Sequence, residues 1–347
     1  MRQSETLPRD FAFLLRGDTM DNSRPASCTL DTRNRQHFVT FIEAHPASSV
    51  RTAWLYINRI AGGYDKSQQH TEIRNLIREE GLQIVEFSSP QQLADHLAAG
   101  DETQPDFVVS VGGDGTAAAL ATLTEGRVPI AIYPAGTENV LAKYLNIPPD
   151  FASFRKMLSR RHIQRIDAGR CGDRTFLLML SAGFEAEVVH QVHRRRRGHL
   201  SKLHYMLPTF GALRSYPYRQ LELDLELEDG SRTQTEGYWV FAFNVPRYAL
   251  GFQLAPQACP EDGLLDVCVL TQKGCWATTN YITALLSGSI SRRPDMKTYR
   301  VRSLRIRCPD GPVPLQIDGD PAGFTDATAQ VLPSYIPLIV PPPPKAR

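Results

Sequence analysis

The chain has 347 residues, 42% of them hydrophobic and 22% charged, with a formal net charge of +2. That is the composition of a globular protein long enough for two cores, and its near-neutral balance implies no polyelectrolyte partner such as nucleic acid. No apolar run reaches the length that crosses a bilayer, and Phe11 to Leu15 is too short, and too closely flanked by Asp10, Arg16 and Asp18, to be a signal peptide.

Residues 1 to 50 form a polar leader with scattered prolines and serines and no sustained period, expected to be partly disordered and given no function. Ala53 to Asn58 reads as the first strand, ending at Asn58-Arg59-Ile60-Ala61-Gly62-Gly63. A helix from about Ser67 to Glu80 is stopped by Gly81, a strand returns over Gln83 to Phe87, and Ser88 and Ser89 lead into a helix over Gln91 to Ala99.

The stretch that organises the chain comes next. An apolar, β-branched run at Phe107 to Val111 stops at Gly112-Gly113-Asp114-Gly115-Thr116, and an alanine- and leucine-rich helical segment follows. Glycines let backbone N–H groups approach a phosphate closely, and the start of the next helix adds its positive end. A carboxylate at Asp114 would repel a bare phosphate but hold Mg²⁺ against it. Thr116 either caps the helix or donates to a phosphate oxygen. A second unit repeats the pattern: strand Val128 to Tyr133, turn Pro134-Ala135-Gly136-Thr137, and a helix through Leu145 that includes Asn139. Two such units in succession predict a parallel sheet with both turns at the carboxyl ends of its strands, where open α/β sheets bind ligands.

Past Asp150 the character changes. After a helix near Phe151 to Ser159, strands are expected at Thr175 to Leu180, Gln220 to Glu228, Gly237 to Asn244, Leu265 to Leu270, Arg300 to Arg307 and Pro314 to Asp318. The alternation in Leu221 to Glu228 (LELDLELE) argues for an antiparallel sheet with one wet face. His193 to Gly198 holds four arginines, either a solvated face or a contact for anionic headgroups, and Pro341 to Pro344 make a polyproline-type end. The six cysteines include no CxxC pair and no histidine at ligand spacing, and read as reduced thiols of a cytosolic protein.

The ordered pair GGDGT and P-x-GTxN, about twenty residues apart, resembles the catalytic family of diacylglycerol kinases, sphingosine kinases and bacterial lipid kinases. Later segments extend the resemblance: Ser181 to Ala186, with Glu185 where Asp is common; Asn244, Gly251, Pro256, Ala258 and Asp262 to Asp266; and Asp318-Gly319-Asp320, where the family has D-G-E. It implies a parallel α/β ATP-binding domain over residues 51–165 and a β-rich antiparallel sandwich over 166–330, with residues 331–347 returning to the first domain. The fold class is thus α/β, of the NAD kinase and diacylglycerol kinase type.

What the resemblance implies for function is transfer of the γ-phosphoryl group of ATP to a lipid hydroxyl, with ATP and Mg²⁺ as cofactors. Asn58 and Gly62 would line the nucleotide, in a loop lacking the family's proline, with Ser88 nearby. Gly112, Gly113, Asp114, Gly115, Thr116, Gly136, Thr137 and Asn139 would serve the phosphates. Asp318 would be the general base and Asp320 would lie near metal and phosphates. Asp262 would be a ligand of a structural Mg²⁺. The expected setting is cytoplasmic, peripheral at the inner membrane face, with the lipid's identity and the oligomeric state, a homodimer included, left open. Two alternatives stand beside it. One is a kinase for a soluble acceptor such as NAD or a sugar phosphate, which the GTxN loop and the late D-G-D argue against. The other is a catalytically silent nucleotide-binding protein.

Overall fold

The computed structural model describes residues 51–59, 67–99, 105–194, 209, 211–247 and 253–342. The leader, Gly62, Gly251 and the run of arginines from Arg195 lie outside the described residues.

The first half alternates strand and helix: β1 (Thr52–Ile57), α1 (Ser67–Glu79), β2 (Gln83–Phe87), α2 (Pro90–Ala98), β3 (Phe107–Gly112), α3 (Asp114–Thr124), β4 (Ile130–Pro134), α4 (Val140–Tyr144) and α5 (Phe151–Arg160). β1, β3 and β4 are buried along their whole length, as expected of central parallel strands covered on both faces. All their pairings are parallel. The register sets Ile57 opposite Val111, Val111 opposite Tyr133 and Gly112 opposite Pro134, so Asn58 and both glycine turns leave the sheet in one row.

The second half carries β5 (Ile163–Cys171), β6 (Arg174–Phe176), β7 (Met179–Gly183), α6 (Phe184–Arg194), β8 (Leu221–Leu227), β9 (Arg232–Gly237), β10 (Trp239–Phe243) and β11 (Leu265–Leu270). It closes with α7 (Cys275–Leu286), a 3-10 turn at Ile290–Arg292, β12 (Met296–Arg307), β13 (Pro314–Ile317), β14 (Asp320–Phe324) and β15 (Ala327–Ile339). Strands here pair antiparallel. The alternation in β8 buries Leu221, Leu223 and Leu225 against Val240, Val267 and Ile306, while Glu222 and Asp224 stay partly exposed.

The two halves do not have separate sheets. One sheet of 15 strands runs β14-β13-β7-β10-β11-β12-β15-β4-β3-β1-β2, with β5, β6, β8 and β9 branching from it. The junction is β15, which pairs with β12 near its start, with β5 along its length and, through Leu338 and Ile339, in parallel with β4. Two helices, α6 and α7, and four strands, β5, β9, β14 and β15, escape the sequence reading, and the single strand expected over Thr175 to Leu180 is divided between β6 and β7. The segment of α7, CWATTNYITALL, has no charged residue to mark a polar face. β15 contains Pro333, which falls within its register break between Leu332 and Ile336, and Pro337, which stays in register opposite Arg165. Cys171, Cys268, Cys275 and Cys308 are free thiols. Cys259 is disulfide-bonded, its partner outside the described residues, which departs from the expectation of six reduced thiols because chain spacing does not reveal which cysteines the fold brings together.

Candidate active site

The two glycine loops touch through their backbones. A Cβ built on Gly136 would lie 2.5 Å from the Cα of Gly113, and the Ala135 N–H donates to the Gly112 carbonyl at 2.9 Å. No side chain larger than hydrogen fits between them. Thr116 packs back over its own loop, its Oγ1 lying 2.3 Å from where a Gly112 Cβ would be, and accepts a bond from Asn58 Nδ2 at 3.0 Å. Asn58 thereby ties the end of β1 to the start of α3.

Asp114 does something its place among the amides does not advertise. Its two carboxylate oxygens accept from the N–H groups of Val140 and Leu141, each at 2.9 Å, capping α4 from 26 residues upstream. Burial pushes its pKa up, while those two amides and Lys143 pull it down. Asn139 closes the second loop on itself: Oδ1 accepts from the Gly136 N–H at 3.0 Å and Nδ2 donates to the Gly136 carbonyl at 2.9 Å. It does so at a φ of 48°, a left-handed conformation that asparagine tolerates better than most residues. Thr137 is exposed at the loop tip, and Gly115 is exposed in the first turn of α3.

Across from these loops stands the turn after β13. Asp318 has a φ of 50°, and its carboxylate accepts three backbone N–H bonds, from Leu177 at 2.8 Å and from Leu178 and Met179 at 2.9 Å. Its pKa is pushed up to about 7 by burial, with the negative charge of Asp114 adding to the rise and the three amides opposing it. The turn is anchored from behind by a buried polar chain. The Gly319 N–H donates to Gln316 Oε1 at 2.8 Å, Gln316 Nε2 donates to Ser181 Oγ at 3.1 Å, and Ser181 bonds Glu185. Asn244, fully buried, donates to the carbonyls of Leu177 and Asp167, each at 2.9 Å, steadying the strand that supplies the amides.

Asp320 reaches back toward the first half. Its Oδ2 would lie 3.5 Å from a Cβ on Gly115, and its Oδ1 lies 3.4 Å from His193 Nε2 at the end of α6. Between the halves is a cavity of about 270 Å³ lined by Gly115, Ala118, Thr122, Arg174, Ile317, Asp318 and Asp320. Arg174 donates to the Pro321 carbonyl at 2.7 Å. Arg174, His193, Gln316 and Ser181 were not anticipated as site residues from sequence. A lone arginine in a hairpin and a glutamine in a strand carry no spacing signal.

The remaining candidates do not line this cavity, although Pro90, two residues after Ser88, does. Ser88 is exposed and bonds Gln92 Oε1 through its N–H and hydroxyl, while Ser89 caps α2. Asp262 accepts from the Leu264 N–H at 3.1 Å and forms an ion pair with Arg300 at 2.7 Å. Arg300 in turn reaches Glu228 at 2.9 Å. Burial raises the pKa of Asp262 and pushes that of nearby Asp266 up to about 6. A divalent cation at Asp262 would have to displace the partly exposed Arg300 guanidinium from one of its oxygens, beside Asp266, whose buried carboxylate oxygens have no hydrogen-bond partner among the described residues. No group of three or more metal-ligating side chains gathers among the described residues.

A parallel α/β half with two phosphate-type glycine loops, facing an antiparallel sandwich across a cleft, has the architecture of the NAD kinase and diacylglycerol kinase type. The sequence matches the two domains that make up this type side by side: residues 52–171 match the diacylglycerol kinase catalytic domain, and residues 179–340 match the YegS C-terminal NAD kinase beta sandwich-like domain. It is 26% identical to a diacylglycerol kinase of Mycobacterium tuberculosis over 76% of this chain and 87% of the relative. It is 24% identical to a diacylglycerol kinase of Staphylococcus aureus over 68% of this chain and 75% of that one. The crystal structure of a diacylglycerol kinase from Bacillus anthracis superposes with a TM-score of 0.64 at 22% identity, covering 84% of this chain and 98% of the other, and shares its fold.

Proposed function

We propose that the protein transfers the γ-phosphoryl group of ATP to a hydroxyl of a lipid, with MgATP as the donor substrate. The observation that carries this reading is Asp318: a carboxylate seated on three backbone amides, beside a cleft whose opposite wall is α3 from Gly115, the last glycine of the first loop, to Leu123.

Phosphoryl transfer needs positioning and charge neutralisation more than covalent chemistry. The amides in the first turn of α3 and the Thr137 N–H would bind the phosphates, with Gly115 and Thr137 exposed where donors are needed, while the Gly136 N–H is already given to Asn139. Asp114 spends its charge on α4, which removes a repulsion from the phosphate side and locks one loop to the other. Asp318 would accept the proton of the acceptor hydroxyl as the bond to phosphorus forms. A base with a pKa near 7 is half in its active form at neutral pH, which suits that task. Asp320 and His193 would meet the transferring group on the open side, where Asp320 is 49% exposed and able to approach the Mg²⁺ that travels with ATP. The reading also places the enzyme at a membrane surface from the cytoplasmic side.

The test is transfer from ATP labelled at its γ-phosphate into diacylglycerol, ceramide, sphingoid bases, phosphatidylglycerol and NAD, with Asp318→Asn beside the wild type. Label in a lipid that the variant fails to produce supports both the class and the base. Label in NAD alone overturns the lipid reading.

A further inference from the structure

The outer face of α7 has no part in the cleft just described, and it is unusual for a water-facing helix. Trp276 is 78% exposed and Leu286 is 41% exposed, two of the three large exposed hydrophobic side chains among the described residues. Cys275, Thr279 and Thr283 are exposed with them, while Thr278, Tyr281 and Ala284 point into the core. At 100° per residue, positions 275, 276, 279, 283 and 286 form one stripe, about 15 Å long from Trp276 to Leu286.

The two threonines of that stripe give their hydroxyl protons to the helix backbone rather than to water. Thr279 Oγ1 donates to the Cys275 carbonyl and Thr283 Oγ1 to the Thr279 carbonyl, each at 2.9 Å, which turns their methyl groups outward. The stripe therefore presents indole, isobutyl, thiol and methyl groups and no charge. A solvated face carries Lys, Glu or Gln at such positions.

Along the chain the charges that flank it are of one sign, and the acid packed against α7, Asp295, bonds Tyr281 and is paired with Arg293. From Val267 to Pro294 the sequence contains no Asp or Glu, and its basic residues are Lys273, Arg292 and Arg293. Arg293 is paired with Asp295, whereas Lys273, just before α7, and Arg292, just after it, are exposed. An uncharged apolar stripe with a tryptophan, bracketed by cations at both ends, matches the interface of an anionic bilayer: apolar groups enter the acyl boundary, indole sits at headgroup depth and the cations meet phosphates.

We infer that α7 is the membrane-docking element of this protein and that it seats on anionic lipid, an inference that rests on the lipid-acceptor reading for its purpose but not for its observations. A partner protein or second copy of the chain would also cover an apolar stripe, but neither explains why only cations flank it.

The experiment is flotation of the full chain with vesicles of phosphatidylcholine alone and of phosphatidylcholine mixed with phosphatidylglycerol. Trp276 emission is followed in parallel. Trp54 and Trp239 are only 3% and 7% exposed, so a blue shift on adding vesicles reports Trp276. The wild type should float with the anionic vesicles. Trp276→Glu with Leu286→Glu should lower that partition at least tenfold, while transfer to a detergent-dispersed lipid is unchanged. Lys273→Glu with Arg292→Glu should erase a preference for anionic over neutral vesicles that two basic side chains near such a surface set at roughly thirtyfold.

Unaltered flotation of both variants, or an unshifted Trp276 emission, overturns the inference. So does a lipid-free dimer that Trp276→Glu dissociates, which assigns the stripe to a second copy. Transfer to detergent-dispersed lipid reports on the kinase reading alone, so its absence leaves the vesicle result standing.

Discussion

The contact between Gly113 and Gly136 makes a sharp prediction, because it sets sterics against chemistry at two glycines of the same site. In Gly136→Ala the new methyl would lie 2.5 Å from the Gly113 Cα and 2.8 Å from Asn139 Oδ1, against an ordinary separation of about 3.5–4 Å. The loops must part by about 1 Å, an overpacking that costs about 1–3 kcal/mol. In thermal unfolding that is a fall of about 2–4 °C per kcal/mol. A displacement of that size between groups holding one phosphate chain is also enough for a loss of about 100-fold in kcat/KM for ATP. Gly115→Ala is the counterpart. Its methyl meets only Asp320 Oδ2, at an ordinary 3.5 Å, and it lies in a helical turn where alanine is favoured by about 1 kcal/mol. It should melt no lower than the wild type, yet lose ATP affinity, because the methyl stands on the exposed surface where phosphate would sit. If Gly136→Ala melts and turns over like the wild type, the two loops are not the rigid unit described, and the argument that Asp114 and Asn139 serve to lock them falls with it.

Three further outcomes follow from the same geometry. Activity should fall as pH drops through about 7, since a protonated Asp318 accepts no proton, and Asp318→Asn should lower kcat by at least about 100-fold and abolish that limb; a pH–rate profile decides it. Asn139→Gly keeps the left-handed backbone but deletes two hydrogen bonds, so it should lose about 1–2 kcal/mol, and Asn139→Ala more, by denaturant titration. Arg300→Met strips Asp262 and Glu228 of their cation. Asp262 and Asp266 already have raised pKa values, so the folded state holds protons more tightly than the unfolded one and the loss should grow as pH rises through about 6. Allowing for the partial exposure of Arg300, the variant should be about 1 kcal/mol less stable at pH 8, and less so at pH 5, where Asp266 is protonated.

How much of this was legible in the chain depends on the range of the interaction. The two strand-turn-helix units were readable because each signal is local: a β-branched run, a glycine cluster, then helical spacing within about a dozen residues. Asp318-Gly319-Asp320 was readable for the same reason. What Asp114 and Asp318 do with their oxygens was not, since the amides they accept from lie 26 and about 140 residues away and belong to elements chosen for other reasons. Gln316 and Ser181, one strand apart in the sheet, are 135 residues apart in the chain, and nothing in either neighbourhood marks them as a pair. α7 was missed for a different reason. Its exposed face is apolar and β-branched, so the polar half of the helical pattern that reveals a surface helix is absent.

The placement of β15 bears on how the protein is made. β4 waits for its neighbour Leu338 across about 200 residues of intervening chain, a delay of roughly 10–40 s at ordinary rates of synthesis. Throughout that interval the nascent parallel half carries an open flank of unpaired N–H and C=O groups beside Ile130 and Ala131, at the centre of what becomes the finished sheet. The step that welds the halves together is therefore the last among the described elements to become available on the ribosome, and the growing chain is most open to mispairing just where the finished sheet is most continuous.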